Sequence, residues 1–222
     1  MIDLVQPPSN RQLASHNTMS EKTRHDPEEL PTEIVESVPE WDDEYFDRVS
    51  DRLMYSYDLE RDYRLNGEQW DLYGELRMLT QKQFFHPALN YADHEQREFL
   101  FARREAHPTT AELDRLVELG HELADELIVA DEEHYGTDFT FVLVADELSD
   151  SVREYVSGFR DRTLIKYGYY GHYDVNLVVV VPESEEYVAS EVADSAEAFV
   201  LWESVTIPDE GFLSRFAKRF WR

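Results

Sequence analysis

Residues 166–174 read KYGYYGHYD and combine the side chains of this chain that are best suited to bind a ligand. The stretch holds one lysine, one histidine, one aspartate and several tyrosines around Gly168 and Gly171. A cation beside an aromatic ring can hold a nucleotide base or a phosphate, and a histidine next to an aspartate can move a proton. The candidate ligand-binding residues are Lys166, Tyr170, His172 and Asp174.

These candidates alternate with apolar, aromatic or glycine residues at the odd positions from 165 to 181. A strand turns successive side chains to opposite faces, so the alternation predicts that Tyr167, Tyr169 and Tyr173 face the core, where tyrosine is common. The unbroken phase argues against a two-residue turn or a one-residue bulge within the stretch. Gly168 and Gly171 could instead frame a short loop that preserves the alternation of the side chains. The alternative to a ligand site is a polar ladder on a solvated face.

A second pair of residues with possible chemistry is Asp71 and Glu75, on a predicted strand. The succession of a helix, three strands, a helix and a strand resembles the restriction-endonuclease-like core, in which an acid on the second strand and an acid-x-Lys on the third hold a divalent metal. That resemblance makes Asp71 and Glu75 candidate catalytic residues of an active or degenerate nuclease. The third strand reads EFLFARR and lacks the acid-x-Lys. Solvent-facing carboxylates are the simpler interpretation.

The segment GHELADE is one residue away from a zinc-peptidase motif, because Asp125 stands where the second histidine would be. At 100° per residue, His121 and Asp125 lie on one flank of the apolar stripe, whereas Glu122 lies toward the solvated side. The segment is therefore expected to be one flank of a solvated helix.

The elements that carry these residues follow from apolar periodicity and turn signals. Helices are predicted over residues 42–57, 109–128 and 150–159, and an Asn66-Gly67 turn joins a hairpin. Thr109 and Glu112 have capping-box spacing at the start of the long helix. Strands are predicted over residues 59–65, 70–80, 98–104, 139–145, 165–181 and 198–204. The order α-β-β-β-α-β-α-β-β-α predicts one α/β (mixed α+β) domain over residues 39–207, with helices packed on a single mixed sheet.

The two ends of the chain differ from this domain. Residues 1–38 mix proline, serine and charged residues without apolar periodicity, which predicts a disordered tail. Residues 208–222 form a basic amphipathic helix in this interpretation, with Phe212, Phe216, Phe220 and Trp221 on or beside its apolar face. That helix is expected either to dock on its own domain or to contact a protein partner or a membrane surface.

Composition indicates the setting in which the chain works. It has 48 acidic and 21 basic residues, a net charge of -27, and arginine in preference to lysine. Such a surface suits a salt-accumulating cytoplasm, because roughly molar salt shortens the Debye length to about 3 Å. This negative charge opposes nucleic-acid binding, because the phosphates of a nucleic acid are also negative. The absence of cysteine excludes disulfides and thiolate chemistry, and no apolar run is long enough to span a bilayer.

Three segments resemble an uncharacterised family of haloarchaeal proteins, a domain of unknown function. They are EWDDEYFDRVSDRLMYSYDLERDYRL, FFHPALNY and the long run from FTFVLVADELSD to VVVVPE. The resemblance covers roughly residues 39–204; it implies a haloarchaeal source and no particular activity. The sequence thus favours a cytoplasmic, non-enzymatic binding or regulatory module, with the nuclease as the alternative. It does not identify a cofactor, a ligand or a partner.

Overall fold

The computed structural model describes residues 39–81 and 93–203. The candidate contact residues of the C-terminal helix, Phe212, Phe216, Phe220 and Trp221, lie outside these ranges, as does the N-terminal segment. The helices are α1 (Glu44–Leu53), α2 (Thr110–Leu127), α3 (Asp150–Ser157) and α4 (Ala196–Phe199). The strands are β1 (Asp58–Leu65), β2 (Glu68–Gln81), β3 (Asp93–Arg104), β4 (His134–Val144), β5 (Asp161–Leu164), β6 (His172–Val181) and β7 (Glu186–Ala189).

These strands form one mixed sheet in the order β1-β2-β3-β4-β6-β5, with β7 paired to β6. β3, β4 and β6 run parallel, and the remaining pairs are antiparallel. The predicted mixed α+β architecture with a single sheet is confirmed. Asn66 and Gly67 connect β1 to β2 with φ of 49° and 83°, which are the left-handed values that such hairpin turns require.

Helices cover both faces of the sheet and bury its apolar residues in two clusters. Leu113 and Leu116 of α2 and Val152 of α3 belong to the first cluster, together with Phe99 and Phe141 of the sheet. α2 begins where the capping spacing predicts, because the Thr109 side chain accepts a hydrogen bond from the Glu112 N–H.

The second cluster lies under α1 and α4. Phe46 and Val49 of α1 and Phe199 of α4 pack with strand residues that include Leu100 and Val142. Within the described parts of the chain, no helix has both the length and the apolar character needed to cross a membrane.

The prediction of one strand over residues 165–181 is wrong. The chain forms β5, makes a single 3₁₀ turn at Ile165–Gly168 and returns as β6, which pairs antiparallel with β5. The predicted core positions of Tyr167 and Tyr169 are also wrong, since both side chains are exposed. Tyr173 does pack against the core. The alternation of apolar and polar residues continues through the loop because Leu164 is paired with His172. These two positions are an even number of residues apart, so the period of two is not interrupted.

The strand predicted over residues 198–204 is a short helix and a turn instead. Arg52 of α1 explains the difference. Its guanidinium donates hydrogen bonds to the carbonyl groups of Glu197, Val200, Leu201 and Glu203. Carbonyl groups gathered around one cation are not arranged in a strand ladder, and the buried Phe199 anchors the segment on the sheet.

Candidate binding surface at the sheet edge

The strongest candidate site is the connection between β5 and β6, at the edge of the sheet. We call residues 164–171 the tyrosine loop; it contains Tyr167, Tyr169 and Tyr170. It lies beside the start of β4, because β4 and β6 are parallel and Gly136 is paired with His172. The loop therefore belongs to the edge at which β4 and β6 begin.

The backbone of the tyrosine loop is held in conformations that side chains rarely adopt. Lys166 has φ 47° and ψ 52°, and Tyr167 has φ 59° and ψ 28°. Gly168 and Gly171 follow with φ of 85° and 78°. Left-handed φ is unfavourable for residues with a Cβ and persists where surrounding contacts enforce it, often at functional sites.

Hydrogen bonds close this loop and attach it to β4. The Ile165 N–H donates to the Gly171 carbonyl at 3.0 Å, and the Tyr170 N–H donates to the Ile165 carbonyl at 3.3 Å. His134 Nδ1 donates to the Tyr170 carbonyl at 2.6 Å. Gly171 lies so close to β4 that a Cβ there would be 2.1 Å from the Tyr135 carbonyl oxygen. The loop is thus a positioned element of the fold.

Its apolar side chains project into solvent. Tyr167 is fully exposed, Tyr169 is 75% exposed and Leu164 is 60% exposed. The Tyr169 ring meets the Tyr170 ring edge-on, with centroids 5.1 Å apart. A concentration of exposed aromatic surface on a fixed backbone is typical of contact sites.

The sequence around the loop is locally positive in a chain that is strongly negative overall. Residues 160–166 contain Arg160, Arg162 and Lys166 against one acid, Asp161. Arg160 lies 3.3 Å from Glu191, and Lys166 is exposed. This part of the surface repels an approaching acidic protein less than the average surface does.

Arg162 also binds inward, toward the sheet. Its Nε and Nη2 donate to the two carboxylate oxygens of Asp174 at 2.7 and 2.6 Å, and the Asp174 side chain is almost completely buried. These hydrogen bonds raise the pKa of Arg162 above its ordinary value. His172 Nε2 lies 3.8 Å from Asp174, and the His172 ring meets the Tyr135 ring edge-on.

Asp174 continues a row of polar residues across the sheet. The cross-strand pairing places Glu98 beside Asp138, and Asp138 beside Asp174. All three are buried. The sequence analysis missed Glu98 and Asp138. Their signal was an acid inside each of two apolar strands, EFLFARR and TDFTFVLVA, which only the register aligns with Asp174.

The structure places the four predicted ligand-binding residues at different depths. Lys166 is exposed, Tyr170 and His172 are partly buried, and Asp174 is buried and bound to Arg162. Among them, His172 and Asp174 lie near each other, while Lys166 projects from the outer part of the loop.

The candidate catalytic acids on β2 bind other parts of the protein. Asp71 accepts a hydrogen bond from the Arg104 N–H at 2.8 Å. Glu75 accepts one from Arg97 at 2.5 Å and also contacts Arg77. Among residues 39–81 and 93–203, no three histidine, aspartate or glutamate side chains are arranged to hold a metal ion.

His121 also has a structural partner on each ring nitrogen. Its Nδ1 lies 2.9 Å from the Tyr173 hydroxyl, and its Nε2 lies 3.2 Å from Asp161. His121 therefore links α2 to β5 and β6, and Glu122 and Asp125 are exposed to solvent, as expected for a solvated flank of the helix.

The fold and this surface define an α+β protein with a mixed sheet and an aromatic loop at one edge. The family model described as a domain of unknown function (DUF8052) matches residues 42–201, and the chain belongs to that family. No curated protein and no solved structure matches the chain.

Proposed function

We propose that this chain is a non-enzymatic binding module that recognises a protein partner through the tyrosine loop, in the cytoplasm of a haloarchaeon. One observation carries the proposal: Tyr167, Tyr169 and Leu164 project into solvent from a hydrogen-bonded loop in which Lys166 and Tyr167 have left-handed conformations. Both features incur a free-energy cost in the isolated protein.

The chemistry of the loop suits recognition at high salt. Molar salt screens charge–charge attraction over distances beyond about 3 Å. Contact between apolar surfaces does not depend on that attraction. Tyrosine offers a large apolar ring with a hydroxyl at its tip and few rotatable bonds, so little conformational entropy is lost when it binds. Tyr167 and Tyr169 are therefore the side chains from which we expect most of the binding free energy.

The internal contacts of the acidic residues support a binding role over a catalytic one. Asp174 is bound to Arg162 and Glu75 to Arg97, so neither carboxylate is directed at a substrate. The nuclease is the alternative, and the order α1-β1-β2-β3-α2-β4 favours it. The contact made by Asp71 opposes a nuclease, because this candidate catalytic acid accepts a hydrogen bond from a backbone N–H.

A photo-crosslinking experiment tests the proposal. The chain, carrying a benzophenone amino acid in place of Tyr167, is produced in haloarchaeal cells and irradiated. We expect a discrete protein adduct whose partner is identified by mass spectrometry of the crosslinked peptide. The same amino acid at Tyr55, an exposed tyrosine just after α1, is the control.

The yields at the two positions decide the result. Adduct formation at Tyr167 with little at Tyr55 supports the binding surface, particularly if Tyr169→Ser abolishes it. Equal yields at both positions, or no adduct at Tyr167, would overturn the assignment of the loop as the contact site.

The proposed setting predicts that stability increases with salt. Repulsion within a chain of net charge -27 opposes the compact state at low ionic strength. Raising KCl from about 0.1 to about 2 M is expected to increase the melting temperature by roughly 10 °C or more, since the Debye length shortens severalfold over that range. Circular dichroism melts in a KCl series measure the effect. A melting temperature that is constant or falls would contradict adaptation to a salt-rich cytoplasm.

A further inference from the structure

The two edges of the described sheet are built differently. β1 carries charged side chains at five of its eight positions (Asp58, Glu60, Arg61, Asp62 and Arg64), and Asp62 has a left-handed φ of 54°. Charges and local irregularity are the features by which edge strands avoid pairing with other chains. β1 is therefore a protected edge.

β5 lacks that protection. Its two charged side chains are bound within the same chain, Asp161 to His121 and Arg162 to Asp174. Its φ values are all negative, and Leu164 exposes more than half of its surface. Among the described strands, β5 is the last in the sheet order. Within residues 39–81 and 93–203, no strand pairs with β5 on the side away from β6.

The hydrogen-bond pattern shows which of these groups face outward. Ile165 donates to the Gly171 carbonyl, so Ile165 belongs to the residues that point toward β6. Since an antiparallel ladder alternates, the N–H and C=O groups of Arg162 and Leu164 point away from β6. An antiparallel strand can bind them.

Charge favours a second copy of the same chain at this edge. Two chains of net charge -27 repel each other over most of their surfaces. Around β5, Arg160 is paired with Glu191 and Arg162 with Asp174, and Lys166 is exposed. This surface is close to neutral in a strongly acidic chain, so two copies repel each other less when they meet there. An edge that pairs antiparallel with itself is also self-complementary about a two-fold axis.

We infer that two copies of this chain associate by antiparallel pairing of their β5 strands, with Leu164, Tyr167 and Tyr169 of each copy covering the other. This inference rests on the proposed function and names the partner. The four-residue β5 supplies few backbone hydrogen bonds, so the exposed side chains of the tyrosine loop must provide most of the buried apolar area.

Sedimentation velocity of the full chain tests the inference directly. The measurement covers chain concentrations from about 1 to about 100 µM in about 2 M KCl, where charge repulsion is screened. We expect a species of twice the chain mass that becomes dominant as concentration rises.

Two variants remove different parts of the contact. Leu164→Pro deletes an N–H that points away from β6, and the native φ of -83° is close to the value that proline requires. Tyr167→Ser combined with Tyr169→Ser removes the aromatic contact. Each is expected to weaken dimerisation at least tenfold with a melting temperature near that of the wild type at low concentration. Tyr55→Ser is the control and should dimerise normally.

The outcomes separate this inference from the proposed function. A wild-type chain that stays monomeric throughout, or variants that dimerise as well as the wild type, would overturn the self-association. If the Tyr167 crosslink then identifies a different protein, the binding module stands with that protein as its partner. If Tyr167 gives no adduct and the chain is monomeric, both proposals fail. A dimer that dissociates in both variants but not in Tyr55→Ser supports both.

Discussion

Gly171→Ala is expected to lower the free energy of unfolding by about 3 kcal/mol or more, which corresponds to a fall in melting temperature of roughly 6–12 °C. Gly171 has a φ of 78°, where alanine is strained. An added Cβ would also lie 2.1 Å from the carbonyl oxygen and 2.6 Å from the carbonyl carbon of Tyr135. These are backbone atoms of β4 and cannot move without disturbing the ladder between β4 and β6.

Gly67 provides a matched control for this substitution. Its φ is 83°, nearly that of Gly171, but an added Cβ there meets no atom within 4 Å. Gly67→Ala should therefore cost only the backbone strain, about 1 kcal/mol. Urea denaturation of both variants at high salt measures the difference. Equal losses for the two would mean that the tyrosine loop moves away from β4 easily and is not a positioned surface.

Gly171→Ala should also weaken the binding that we propose, even at temperatures where the variant is folded. The Cβ forces the loop away from Tyr135, and the hydrogen bond between His134 and the Tyr170 carbonyl is lost with it. Tyr167 and Tyr169 then sample many positions, so ordering them on a partner incurs an entropic cost.

Local signals in the sequence were sufficient for much of the fold. The Asn66-Gly67 turn, the capping residue Thr109 and the apolar run of β4 each specify their element through contacts a few residues apart.

The errors occurred where tertiary contacts decide the structure. β5, β7 and α4 each have four residues, too few for a periodic pattern. In the tyrosine loop, the even spacing between β5 and β6 left the alternation intact, and tyrosine suits both a strand face and an exposed contact site. Nothing in the local sequence shows that Arg52 binds four carbonyl groups about 150 residues away.

The site was predictable only in part for the same reason. The composition of residues 166–174 indicated a possible site, and the edge of the sheet at which they lie carries the candidate surface. The depth of each residue depends on pairings that the sequence does not reveal. Asp174 is buried because Arg162 crosses from β5 to neutralise it, and Glu98 enters the same polar row only through the register of β3 with β4.

Glu98→Gln is expected to stabilise the protein at pH 8 by about 1–3 kcal/mol, the cost of a buried charge or polar group without adequate compensation. Burial raises the pKa of Glu98, and the hydroxyl groups of Tyr57 and Thr140 only partly offset that effect. Asp194 raises this pKa further, and Asp138 is the neighbouring residue on β4. Glutamine keeps the shape and can bond both hydroxyl groups without an ionisable proton.

The sign of the pH dependence follows from the raised pKa. Above the ordinary glutamate pKa, the unfolded chain releases a proton that folded Glu98 retains. The stability contributed by Glu98 is therefore complete below that ordinary pKa and is lost as the pH rises through the raised folded value. Glu98→Gln removes this loss, so wild type and variant should have similar stability near pH 4 and should diverge as the pH increases.

Glu75 on the adjacent strand should behave in the opposite way. Burial alone would raise the pKa of Glu75, but the hydrogen bond and charge of Arg97 outweigh it, and the pKa is lowered. Its contribution is present above the ordinary glutamate pKa and is lost as the pH falls through the lowered one. Glu75→Gln should thus destabilise the protein at pH 8, in contrast to Glu98→Gln. Chemical denaturation of both variants from pH 4 to pH 8 distinguishes them, and destabilisation of Glu98→Gln at pH 8 would contradict a raised pKa of Glu98 as the dominant effect.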